Sequence, residues 1–108
     1  MQVSEINWSA IEQQVAKFAF EKAYKREMTA LLEAVRERSS SIVELEDIWH
    51  LNDLLNAKRH ELDGKYEYEY SALIFVFAKL VKEGWLTIDE LEGLESEKRA
   101  KISALARM

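Results

Sequence analysis

The residues best equipped to grip another molecule lie together in the run DIWHLNDLLNAKRHELDGKY, positions 47–66. On a helical wheel at about 100° per residue, Trp49, Asn52, Asn56 and Arg59 share one sector, with Asp53 and His60 along its edge. An indole supplies a broad flat apolar area and a guanidinium a fixed fork of donors. These two groups are strongly enriched at the energetic centres of protein interfaces. A carboxylate and two amides beside them can orient a partner's polar groups, so the chemistry this sector supports is recognition. A Trp turned into the chain's own core, or toward a second subunit, would show the same spacing, and residues alone leave these readings open.

Bond-making chemistry finds less support. His50 and His60 stand ten residues apart on one helix, roughly 15 Å along its axis, too far to share a metal ion. The carboxylates of KREMTALLEAVRER, positions 25–38, are interleaved with Lys and Arg, the pattern of intrahelical ion pairs. No glycine-rich loop precedes a helix to hold a phosphate. The absence of cysteine removes thiol nucleophiles, disulfides and CxxC zinc sites together. The expectation is a protein with no catalytic residue, metal or cofactor.

The elements that must carry the 47–66 sector are helical. Proline is absent and glycine occurs only at Gly64, Gly84 and Gly93, which act as punctuation. Capping boxes are expected at Ser9 with Glu12, Ser41 with Glu44, and Thr87 with Glu90. They give helices at about 9–38, 42–62, 66–83, 88–92 and 95–107. The stretch YEYEY, 66–70, alternates with period two after Asp63-Gly64, a hairpin signal, but the preceding residues do not alternate and helix is preferred there. Ile48, Leu51, Leu55 and Leu62 form the expected core face of the second helix. The run 72–81 is apolar on nearly every side and should be the buried centre of a C-terminal bundle.

A helix of some 30 residues is roughly 45 Å long, whereas a compact chain of this length is roughly 35 Å across. The first helix therefore overshoots. Tyr24, Met28, Leu31 and Val35 keep heptad spacing along it, with Leu32 beside them. A second subunit is the natural cover; the alternative is a kinked helix folded onto its own monomer. The expected fold class is all-α: long N-terminal helices form a dimer stalk and the C-terminal residues a small helical bundle. Within one domain, 1–108, residues 9–62 make the helical hairpin with the dimer interface, and 63–108 a compact head. Met28, Leu32, Val35 and Ile48 are assigned to the seam.

Apolar residues make up 48% and charged residues 32%, with a net charge of -5 and a pI of about 5.1. That balance opposes nucleic-acid binding, which needs a basic face. The longest apolar run, ALIFVFA at 72–78, is too short to span a bilayer, and no basic-then-apolar leader opens the chain. A cytoplasmic protein is expected. Lys98, Arg99 and Lys101 read either as a basic complement to a helix C-terminus or as a cationic rim for an acidic partner.

DIWHLNDLLNAKRHELDGKY, followed by LIFVFAKLVKEGWLT at 73–87, resembles the most distinctive stretch of the fluorescence recovery protein family of cyanobacteria. The resemblance extends along the whole chain, including Trp8 and the long first helix. It implies an all-helical homodimer that binds the photoactivated orange carotenoid protein through that protein's C-terminal domain. The binding speeds return to the orange form and detachment from the phycobilisome, ending non-photochemical quenching. The family's partner-binding patch falls on Trp49, Asp53 and Arg59, a second contact region on Phe75 and Lys101, and its dimer contact on Leu32. Asn52 stands where some members carry His, while a His appears at His50. Association with the phycobilisome or the cytoplasmic thylakoid face would come through the partner. The alternative is a related helical dimer serving a different protein partner.

Overall fold

The computed structural model describes residues 7–108. Its elements are α1 (Ala10–Ser40), α2 (Leu45–Lys65), α3 (Leu73–Lys82), a 3₁₀ turn (Ile88–Leu91) and α4 (Ser96–Ala106). The fold is all-α, as expected. α1 begins at the Ser9 box: the Ser9 hydroxyl accepts the Glu12 amide at 3.1 Å and the Glu12 carboxylate accepts the Ser9 amide at 3.0 Å. With neither proline nor glycine in its path, α1 runs for 31 residues. The molecule measures 56 × 26 × 25 Å, with a radius of gyration of 17.0 Å against about 13 Å for a compact chain of this length.

The core lies at one end. α3 buries Leu73, Ile74, Val76, Phe77, Ala78 and Leu80, and Leu86, Leu91, Leu94 and Ile102 complete the cluster from the chain that follows. The N-terminal half of α1 closes this head with a stripe of small residues, Ala16, Ala19 and Ala23, bounded by buried Glu12 and Glu27. Gly93 sits at the contact. Its φ is +113°, and a Cβ placed there would come within 2.6 Å of a Val15 methyl, so both the backbone shape and the space require glycine.

Beyond Glu27 the second half of α1 leaves the head, and α2 runs back beside it. Leu31 of α1 and Leu55, Lys58 and Leu62 of α2 line one groove. We call this pair of helices the arm. Between Glu27 and Lys65 no residue is buried.

Five expectations fail here, each for a physical reason. The Ser41–Glu44 box does not form: Ser41 closes α1 through its amide to the Arg38 carbonyl. α2 starts three residues later, where the Asp47 carboxylate accepts the Val43 and Glu44 amides at 3.0 Å each. Gly64 does not end α2, which continues to Lys65 because that side chain is drawn into a buried ion pair. Residues 66–72 are not helical, so α3 begins at Leu73.

Period two instead lets Tyr66, Tyr68 and Tyr70 meet the aromatic residues of the N-terminal region. Phe20 packs edge-on against Tyr66 and Tyr68 with centroids 5.5 and 4.9 Å away, and Tyr70 lies 5.7 Å from Trp8. At about 0.5–1.5 kcal/mol for each such pair, this ladder outweighs the helical preference of a five-residue run. The expected core face of α2 is not a core: Ile48 and Leu55 are 44% and 37% exposed. Finally, 25–38 forms no intrahelical ion pairs among the described residues; Arg26 and Glu27 reach Glu90 and Lys65 instead.

Candidate partner-binding surfaces on the arm and the head

Both helices of the arm present large side chains to solvent. Trp49 is 53% exposed and Leu32 57%, which excludes a Trp49 turned into the chain's own core. Asn52, Asp53, Asn56, Arg59 and His60 are all exposed on α2, so the structure keeps this sector on one accessible helix face. Arg59 borders the groove between the helices, beside Tyr24, Leu31 and Leu55. Within α2, Lys58 and Lys65 pair with Glu61, and the His50 ring lies 3.8 Å from Glu46. Neither Asp53 nor Arg59 is tied by a side-chain bond among the described residues. Met28 and Val35 are half-buried, while Ile48 is open.

Phe75 and Lys101 lie on the other body, the head. Phe75, 63% exposed, projects from α3 into a groove with Lys79, Lys82 and Leu105, and exposed Lys101 precedes Leu105 by one turn of α4. The structure therefore divides the expected contact residues between two elements of different character: Trp49, Asn52, Asp53 and Arg59 on the arm, Phe75 and Lys101 on the head.

Lys98 does not join a cationic rim. It is 5% exposed, and its ammonium donates to the Asn7 carbonyl at 2.6 Å, to Glu12 at 3.1 Å and to Glu95 at 3.2 Å. Burial pushes the Glu12 carboxyl up, but the Glu95 and Ser9 amides and the Lys98 ammonium outweigh it and hold the group below the ordinary carboxylate range.

Sequence reasoning missed a second buried cluster where the arm meets the head. Lys65, its side chain 1% exposed, lies 2.7 Å from Glu27 of α1, 2.6 Å from Glu83 after α3 and 3.9 Å from Glu61. The Tyr66 hydroxyl donates to Glu27 at 2.7 Å. Burial and the Glu27 carboxylate together push that hydroxyl far above its usual range. Burial would lower the Lys65 ammonium, yet Glu27 and Glu83 more than compensate and raise it. Carboxylate oxygens of Glu27, Glu61 and Glu83 lie within 4.8 Å of one another, an array that could suit a metal, but a tethered ammonium already bonds to Glu27 and Glu83 and lies 3.9 Å from Glu61. One sequence signal was available: Glu12 and Glu27 occupy the two ends of an apolar-period stripe whose other members are alanine. A carboxylate on a buried face requires a buried cation.

The chain is thus all-α, with a two-helix arm that its own fold leaves uncovered and an exposed aromatic and guanidinium surface on it. Residues 8–106 match the family described as photoprotection regulator fluorescence recovery protein, and the chain belongs to that family. It is 48% identical over 108 residues to the fluorescence recovery protein of Synechocystis sp. PCC 6803, covering 100% of this chain and 99% of that one. Its structure is similar to that of the Fremyella diplosiphon fluorescence recovery protein, with a TM-score of 0.92 at 58% identity, covering 94% of this chain and 100% of the other. The Synechocystis structure gives a TM-score of 0.92 at 49% identity with the same coverage. No helix among the described residues is long and apolar enough to cross a membrane.

Proposed function

We propose that the protein is an accessory regulator that binds the photoactivated orange carotenoid protein through that protein's C-terminal domain. It accelerates the red-to-orange return and detachment from the phycobilisome, and so ends non-photochemical quenching. The observation that carries this reading is the exposed Trp49, Asp53 and Arg59 surface, which the chain's own fold leaves unclaimed, in a member of a photoprotection-regulator family. The regulator works as a homodimer joined along the arm through Leu32, Met28, Val35 and Ile48, in the cytoplasm. It reaches the phycobilisome or the thylakoid face through its partner.

It makes and breaks no covalent bond and needs neither metal nor cofactor. Two separated domains of the carotenoid protein must meet, and a second protein speeds this only by holding the closing arrangement more tightly than the open one. Each tenfold of acceleration needs about 1.4 kcal/mol of such preference. Weak affinity for the closed product lets the regulator turn over.

The test follows the absorbance of light-activated orange carotenoid protein in the dark with sub-stoichiometric regulator. The native chain should speed the red-to-orange decay, and Trp49→Ala should lose about 2 kcal/mol of binding, roughly 30-fold in affinity. An unchanged decay at several-fold excess of folded protein rejects this partner and leaves a helical dimer with a different one.

A further inference from the structure

The joint between arm and head is polar, and that sets what it can do. α1 passes unbroken from head to arm and carries its own direction, but α2, with no buried residue before Lys65, has no close-packed core to seat it. Hydrogen bonds to charged groups are directional, and here one ammonium on α2 donates them to α1 and to the end of α3. Lys65 donates to one Glu27 oxygen at 2.8 Å and to Glu83 at 2.6 Å, the other Glu27 oxygen lies 2.7 Å away, and Glu61 approaches from within α2. Tyr66 adds a bond to the same Glu27 carboxylate and packs edge-on against Tyr24, 5.0 Å away. α1, the end of α2 and the end of α3 are thus tied at one point, between the Trp49 surface and the Phe75 surface.

We infer that Lys65 is a positioning residue: by bonding Glu27 and Glu83 it fixes the direction of α2 against α1 and the head, so that two contact surfaces reach a partner at one set spacing. The inference rests on the proposed function only for the use made of that spacing. Two surfaces on one rigid body bind with a high effective concentration, and loosening the joint lowers it without removing any contact.

The chain has no cysteine, so nitroxide labels go in cleanly at Ala57→Cys on α2 and Ala100→Cys on α4, both exposed. Labelled protein is diluted into excess unlabelled protein, so that distances arise within one chain. The native joint should give a single narrow distribution. Lys65→Met with Glu27→Gln, which removes the pair without stranding a buried charge, should widen it to at least about twice the native width, with near-ultraviolet dichroism of the head unchanged. Glu83→Gln, a milder change, should widen it less, and serves should the double variant fail to fold.

In the carotenoid-protein assay, the folded variants should need about tenfold more regulator for half-maximal acceleration while keeping the limiting rate. A fall in folded fraction would instead show in the dichroism. Native width in the folded variants overturns the inference, as does a widened joint with unchanged half-saturation. If the native chain accelerates nothing, the partner reading fails, and the label widths still decide whether Lys65 sets the direction of α2.

Discussion

The head and the arm are built from the same helix on opposite principles. In its first half α1 turns alanines toward Phe77, Leu73, Leu80 and Ile102, all under 2% exposed. In its second half it leaves Leu32 57% exposed beside an α2 whose Leu45 and Trp49 are 65% and 53% exposed. One region is completed by its own chain and the other is left uncovered by it.

The largest effect that would test this division is in the head. Phe77→Ala should cost about 3–5 kcal/mol of unfolding free energy by denaturant titration. Leu55→Ala, read in a monomeric background, should cost about 1 kcal/mol or less, because Leu55 is already 37% exposed. Equal losses would mean that the arm holds a core of its own. Next in size is Leu32→Glu. A carboxylate at the proposed seam should weaken association by on the order of 2–3 kcal/mol, giving a monomer by light scattering with a head that unfolds as before. A variant still dimeric at micromolar concentration moves the seam elsewhere.

The smallest effect concerns acid. Arg26 bonds Glu90 at 2.9 and 2.6 Å, and with help from the Thr87 amide it holds that carboxyl down at about 2, from an ordinary 4.5. A carboxyl lowered in the folded state binds fewer protons there than in the unfolded chain, so its stabilisation is complete above pH 4.5 and is lost as pH falls toward 2. The stability margin of the native chain over Arg26→Gln should shrink through that window and be constant above it. A margin independent of pH would remove Glu90 from the account.

The helices and the head core were legible because their signals are local: the Ser9 box, the absence of breakers, an apolar run at 72–81. What escaped depended on distance along the chain. Lys65 and Lys98 read as surface charges until Glu27 and Glu12 are placed opposite them, 38 and 86 residues away. The alternation of tyrosines at 66–70 pointed to an extended segment, but with no partner strand before it helix was preferred, and nothing local said that the segment would lie along a helix instead. The α2 face of Ile48 and Leu55 was correctly apolar and wrongly taken for a monomer core, because periodicity shows which side of a helix avoids water and not whose atoms cover it. The exposed sector from Trp49 to Arg59 was legible for the opposite reason: an aromatic among charges stands out wherever the chain folds.

α1 also acts as a ruler. Its turns run unbroken from Ala10 to Ser40, so the spacing between any point on the arm and the head is counted in residues at about 1.5 Å and 100° each. Removing one residue from the arm half of α1 would shorten that spacing slightly yet swing everything beyond it by more than a quarter turn. Removing seven, with a matching seven from α2, would shorten the arm by about 10 Å and nearly restore its facing. Chains of this design can therefore change length in heptads, while single-residue insertions or deletions in α1 act as changes of aim.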